Sequence, residues 1–212
     1  LLRWWPGLLV ATLFTGLQLA WVALDSTRLL SDDRTLYRTA ACVYASFPSA
    51  AEVGTCLSST AYPPLIPLLG ALHFPLGEPT PQLAVMSLWP FWLLLALSAY
   101  HWVEPQAGRL AGSAAATLAC TLACLTNLRG FFFSELPMAA LVMASLAAWH
   151  ASDGLRRVRP TVALTVLLAV GLLCKWAFGF FMGPTMLLAL LTVLLSLGTR
   201  RLLGAPAALL VL

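Results

Sequence analysis

The chain has 212 residues, of which 60% are hydrophobic and only 9% charged, with a mean hydropathy of +0.89. Soluble domains carry close to a quarter charged residues, so the composition argues against a water-soluble globule and for the bilayer as solvent. The net charge of +4 sits mostly at the ends of apolar runs, where cations act as topology signals rather than as a nucleic-acid surface.

Taken in order, the apolar runs predict an all-α fold: a polytopic transmembrane helix bundle of about six spans, forming a single domain over residues 1–212. The spans run from about Trp5 to Leu24, Leu83 to Val103, Leu110 to Leu125, Phe131 to Trp149, Thr161 to Cys174 and Phe178 to Leu197. Pro90 is expected to kink the second, and the Ala-, Gly- and Ser-rich third is suited to close packing. The first run lacks a cleavage site for a signal peptide. The chain starts at Leu1 and ends in an apolar run, Ala205 to Leu212, which reads as the N-terminal part of a longer protein.

Arg3, Arg109, Arg156, Arg157, Arg159, Arg200 and Arg201 all fall on one side of this arrangement, which is predicted to be cytoplasmic. Residues 25–82 then form a long outer loop on the opposite side, periplasmic or extracellular. Arg28, Arg34 and Arg38 in that loop run against the rule, but long loops obey it weakly. Within the loop, Asp32 to Phe47 reads as a helix with Leu36, Ala40, Val43 and Phe47 on one face, able to lie on the membrane surface. Ser31 is a candidate N-cap. Tyr62-Pro63-Pro64 breaks the helix, and Leu65 to Phe74 is half a span long, suited to an interfacial or re-entrant helix.

Five cysteines are present. Cys120, Cys124 and Cys174 lie in apolar helices and read as small hydrophobes. Cys42 and Cys56 both fall in the outer loop. Outside the cytoplasm they can pair as a disulfide, a connectivity that spacing alone does not fix. His73, His101 and His150 are dispersed and have no metal-ligand spacing.

The chain has eight acidic residues, and two are adjacent in Ser31-Asp32-Asp33-Arg34. A carboxylate at the membrane boundary can act as a general base or bind a divalent metal; a first-turn acid pair also simply complements the helix dipole. Glu135, in Phe133-Ser134-Glu135-Leu136-Pro137, is placed at the outer end of the fourth span. There it either faces a cavity or pairs with Arg129. Lys175, the one lysine, sits where the fifth span meets the sixth, also outside. It can hold a lipid phosphate or snorkel to the interface beside Trp176. Tyr62 opens a rigid turn that either shapes a substrate cavity or merely separates two helices.

Together, the acid pair, Tyr62-Pro63-Pro64-Leu65, Ser134-Glu135-Leu136-Pro137 and Gly171-Leu172-Leu173-Cys174-Lys175-Trp176 follow an order that resembles GT-C-type integral membrane glycosyltransferases. The protein O-mannosyltransferases and lipid A aminoarabinose transferases are the nearest groups. The resemblance implies transfer of a sugar from a polyprenyl-phosphate carrier to an acceptor hydroxyl or phosphate on a lipid, glycan or protein. It also implies a bacterial inner membrane location and no nucleic-acid partner. By the same resemblance, Asp32 or Asp33 is catalytic, while Glu135, Lys175, Arg129 and Tyr62 bind substrate. The family pair is often Asp-Glu where this chain has Asp-Asp. The alternative is a transporter or flippase subunit for lipid-linked sugars, against which stands the absence of an internal repeat. A structural membrane subunit, with the acids as caps only, is the third reading.

Overall fold

The computed structural model describes residues 4–24, 31–122, 132, 134–188, 190, 191 and 194, with backbone alone at 31–33. The described residues are all-α, with no strand among them. The helices are α1 (Trp5–Leu24), α2 (Ser31–Ser46), α3 (Ala50–Ser58), α4 (Leu65–His73), α5 (Pro81–Met86) and α6 (Trp89–Thr121). They continue with α7 (Glu135–Ala151), α8 (Val158–Cys174) and α9 (Phe178–Leu188).

α1 is apolar on every side, yet only one stripe of it is covered. Gly7, Ala11, Thr15, Gln18 and Val22 are buried, whereas Leu9, Leu13 and Leu17 are each more than half exposed. Small residues inward and leucines outward is the reverse of a water-soluble helix. It is what packing in lipid favours, because small side chains let backbones approach while leucine is content against acyl chains. α8 repeats the pattern: Leu164, Gly171 and Cys174 are buried, and Val162, Val166 and Leu173 are exposed.

α6 folds back on itself at Gly108, whose φ of 82° and ψ of 174° lie where essentially only glycine is found. A Cβ on Gly112 would stand 3.1 Å from the Tyr100 ring. In a straight helix those two residues would be about 18 Å apart along the axis. The reversal expected between Val103 and Leu110 therefore lies at Gly108. α1 runs along the first arm of α6, with Gly7 against the Tyr100 ring, and α6, α7 and α8 pack in succession.

The kink expected at Pro90 falls earlier. α5 ends at Met86, Ser87 and Leu88 break the path, and Pro90 stands in the first turn of α6, where its missing N–H breaks no bond. Two stretches among the described residues are long and apolar enough to cross a membrane by length and composition, Trp5–Leu24 and Pro81–Thr121. α8 and α9 are apolar but shorter. A count of six crossings is therefore not established by the fold.

Residues 31–82 are not a loop but a helical layer. α2 packs on α3 and α4, α4 on α5 and α8, and α5 on α1. The expected amphipathic face of α2 is present, but it covers protein instead of lying on a membrane surface. Leu36, Ala40 and Val43 are buried, with Ala40 against Gly70 of α4, and only Phe47 projects outward. Tyr37 Oη donates to the Pro79 carbonyl at 2.7 Å, and the Tyr37 and Tyr44 rings meet Phe74 edge-on. Cys42 and Cys56 are disulfide-bonded, their Cα atoms 5.9 Å apart, which staples α2 to α3. α3 has no counterpart among the sequence expectations; Ser49 caps it, accepting from the Glu52 N–H.

The tryptophans sort to the two ends. Trp4 stacks on His101 at 4.7 Å and Trp102 on His150 at 6.4 Å, so α1, α6 and α7 share one level there. Arg109, beside the Gly108 turn, and Arg156, Arg157 and Arg159, at the α7–α8 connection, mark the same end. Trp21, Trp89 and Trp176 mark the other, together with the helical layer. Aromatic girdles at two levels suit a membrane protein, and the arginines lean to one end, with Arg34 and Arg38 of α2 at the other.

Candidate functional site

The end that carries the helical layer gathers three of the segments singled out in sequence. α7 begins at Glu135 and α8 ends at Cys174, so antiparallel packing brings Ser134, Glu135, Cys174 and Lys175 together. The Cys174 thiol points to the Ser134 carbonyl at 3.8 Å. Lys175 Nζ forms a hydrogen-bonded ion pair with Glu135 Oε1. Both side chains are about a third exposed, Lys175 28% and Glu135 35%.

Lys175 is presented by a tight turn. α8 stops because residue 175 is extended, with φ −158° and ψ 134°, and the Phe178 N–H then donates to the Lys175 carbonyl. The Phe178 ring folds back on Gly171, where any Cβ would overlap it. That close approach gives the glycine of Gly171-Leu172-Leu173-Cys174-Lys175 its physical role. Trp176 then donates through Nε1 to the Ala61 carbonyl at 3.2 Å, tying this turn to the residue before Tyr62. The sequence places Trp176 only as the interfacial neighbour of Lys175. Its tethering role depends on Ala61, 115 residues away, and no local pattern signals it.

The Tyr62 backbone N–H bonds the Thr60 hydroxyl at 3.2 Å, and Pro64 leads directly into α4. Tyr62 thus belongs to the same end as Glu135 and Lys175, joined to them through Ala61 and Trp176. Asp32 and Asp33 stand in the first turn of α2 by their backbone, and their side chains lie outside the described residues, as does Arg129. α2 itself is anchored to α4, which packs on α8.

The pair retains binding capacity. An ammonium has three donors, and one is given to Glu135. Glu135 Oε2 is buried with no hydrogen-bond partner among the described residues, an acceptor that a ligand donor can satisfy. Among the described residues, no three His, Cys, Asp or Glu side chains group as metal ligands. The neighbouring cavity of the layer, about 620 Å³ between α2, α3 and α4, is apolar, with Val43, Phe47, Leu68 and Leu72 on its walls.

Comparison of the chain with protein-family models, with curated proteins and with solved structures finds no match.

Proposed function

We propose that the chain is the membrane domain of a glycosyltransferase that uses a polyprenyl-phosphate sugar and works at the non-cytoplasmic face of a multi-pass membrane bundle. The observation that carries the proposal is the Glu135–Lys175 pair, held where the Tyr62, Ser134 and Gly171 segments meet. The inside-out packing of α1 and α8 and the two aromatic girdles support the bilayer setting, and six crossings remain the preferred count. The Cys42–Cys56 disulfide supports an oxidising location for the helical layer, and the arginines at the opposite end support a cytoplasmic one there. A bacterial inner membrane fits both.

In the proposed reaction, a carboxylate of Asp32 or Asp33 takes the proton from the acceptor hydroxyl. The acceptor oxygen bonds to the anomeric carbon while the bond from that carbon to the phosphate oxygen breaks, with inversion. Polyprenyl phosphate leaves carrying the added negative charge. Lys175 meets that charge as it grows, and Glu135 holds the ammonium in place. The donor arrives through the lipid, so the site needs no nucleotide-binding motif.

The test is transfer of labelled sugar from a polyprenyl phosphate by the full-length protein, compared with Asp32→Asn, Asp33→Asn and the double variant. Transfer should fall at least 100-fold in one single variant and in the double. Full transfer in all three would remove the catalytic role. Movement of label across the membrane without covalent product would favour the transporter reading instead.

A further inference from the structure

A second cavity lies at the arginine end, far from Glu135 and Lys175. It has a volume of about 420 Å³ and opens between the start of α1, the first arm of α6, the end of α7 and the start of α8. Its walls are apolar: Leu94 and Leu97 from α6, Ala144 and Ala148 from α7, Leu167 from α8. The slot exists because α7 offers alanines at this level, where larger side chains would have closed the gap between α6 and α8. At the rim stand Trp4, stacked on His101, and Arg159. Arg159 is exposed and has no hydrogen bond or ion pair with any described residue. No acidic side chain lines the cavity. Around it, Arg109, Arg156 and Arg157 outnumber Glu104 and Asp153 among the described residues at this end.

We propose that this cavity is a binding site for an anionic glycerophospholipid, with its phosphate against Arg159 and an acyl chain between α6, α7 and α8. Charge complementarity selects the head group: an unpaired guanidinium recognises a phosphate with two parallel hydrogen bonds. The apolar walls select the chain. A soluble phosphate would satisfy the rim and leave the walls wet, and a zwitterionic lipid would satisfy the walls but bring its own cation to compete with Arg159 for its phosphate. A lipid with both parts satisfies the whole site, and basic pockets between membrane helices on one side are suited to such head groups. The stacked Trp4–His101 pair at the rim is of the kind that favours the head-group level. The site requires a bilayer around the chain but not glycosyl transfer, and it lies at the end opposite the proposed reaction.

Native mass spectrometry of the full-length protein in a neutral detergent tests this. The protein is offered equal amounts of phosphatidylglycerol and phosphatidylcholine with identical chains. Wild type should retain the anionic lipid about fivefold over the neutral one, the effect of one cation at an anionic head group. Arg159→Gln, a surface change with no packing demand, should bring the ratio near one. Ala163→Trp, on the exposed α8 edge of the slot, should lower retention of both lipids. Equal retention by wild type overturns the proposal. So does a preference that survives Arg159→Gln but disappears when Arg156 and Arg157 are both changed to Gln, since that marks diffuse surface charge.

Discussion

Lys175 owes its position to its neighbours on both sides. Phe178 seats on Gly171 and closes the turn, Trp176 bonds across to Ala61, and the ammonium meets Glu135. Lys175 was legible in the sequence as the one lysine, and Glu135 as a carboxylate at membrane depth. Their pairing was not legible, because the two residues stand 40 apart in the chain and meet only when α7 and α8 pack antiparallel. The two side chains are partly solvated, so the pair contributes modestly to stability, about 1 kcal/mol in a double-mutant cycle of Glu135→Gln and Lys175→Met read by thermal unfolding in detergent. The double variant should be closer to wild type in stability than the sum of the singles. Strict additivity would mean that the contact carries no energy.

At the level of elements, the 3.6-residue period located α1, α2, α4 and α8 to within a few residues, because apolar runs and Tyr62-Pro63-Pro64 punctuate them plainly. What covers an apolar face is not written in its period. The α2 face suits a membrane surface and α4 equally, and only the fold chooses Gly70 as its seat. Likewise two cysteines 14 residues apart do not declare a bond, whereas α2 and α3 packed side by side bring their Cα atoms to 5.9 Å. Removing that bond with Cys56→Ser should cost the helical layer about 3 kcal/mol, the chain-entropy worth of a loop this size. Hydrogen exchange should speed up in α2 and α3 and remain unchanged in α7. Gly108 should be equally sensitive. Gly108→Ala forces a Cβ into a backbone conformation reserved for glycine and should lower stability by about 1–3 kcal/mol. A neutral result would mean that the α6 reversal is made some other way.

Across the whole molecule, composition alone pointed to the bilayer, and the exposed leucines of α1 with the buried Gly7 and Ala11 stripe give that reading a packing basis. The two girdles were hidden in the sequence because Trp4, Trp102 and Trp149 become one level only when α1 and α7 pack beside the first arm of α6. The polarity of the molecule can be tested with two exposed positions at opposite ends. Ser58→Cys should react with a membrane-impermeant maleimide in intact cells, and Arg156→Cys only after permeabilisation. The reverse pattern would invert the orientation. The central claim is that Lys175 stabilises the departing lipid phosphate, and sugar transfer by Lys175→Gln tests it most directly. With full-length protein in liposomes and a labelled polyprenyl-phosphate sugar, wild type should form covalent glycosyl product and Lys175→Gln should lose at least about 100-fold in kcat, as when one charge-stabilising donor is removed. Lys175→Gln turning over at the wild-type rate, or wild type moving the labelled lipid without forming product, would contradict it.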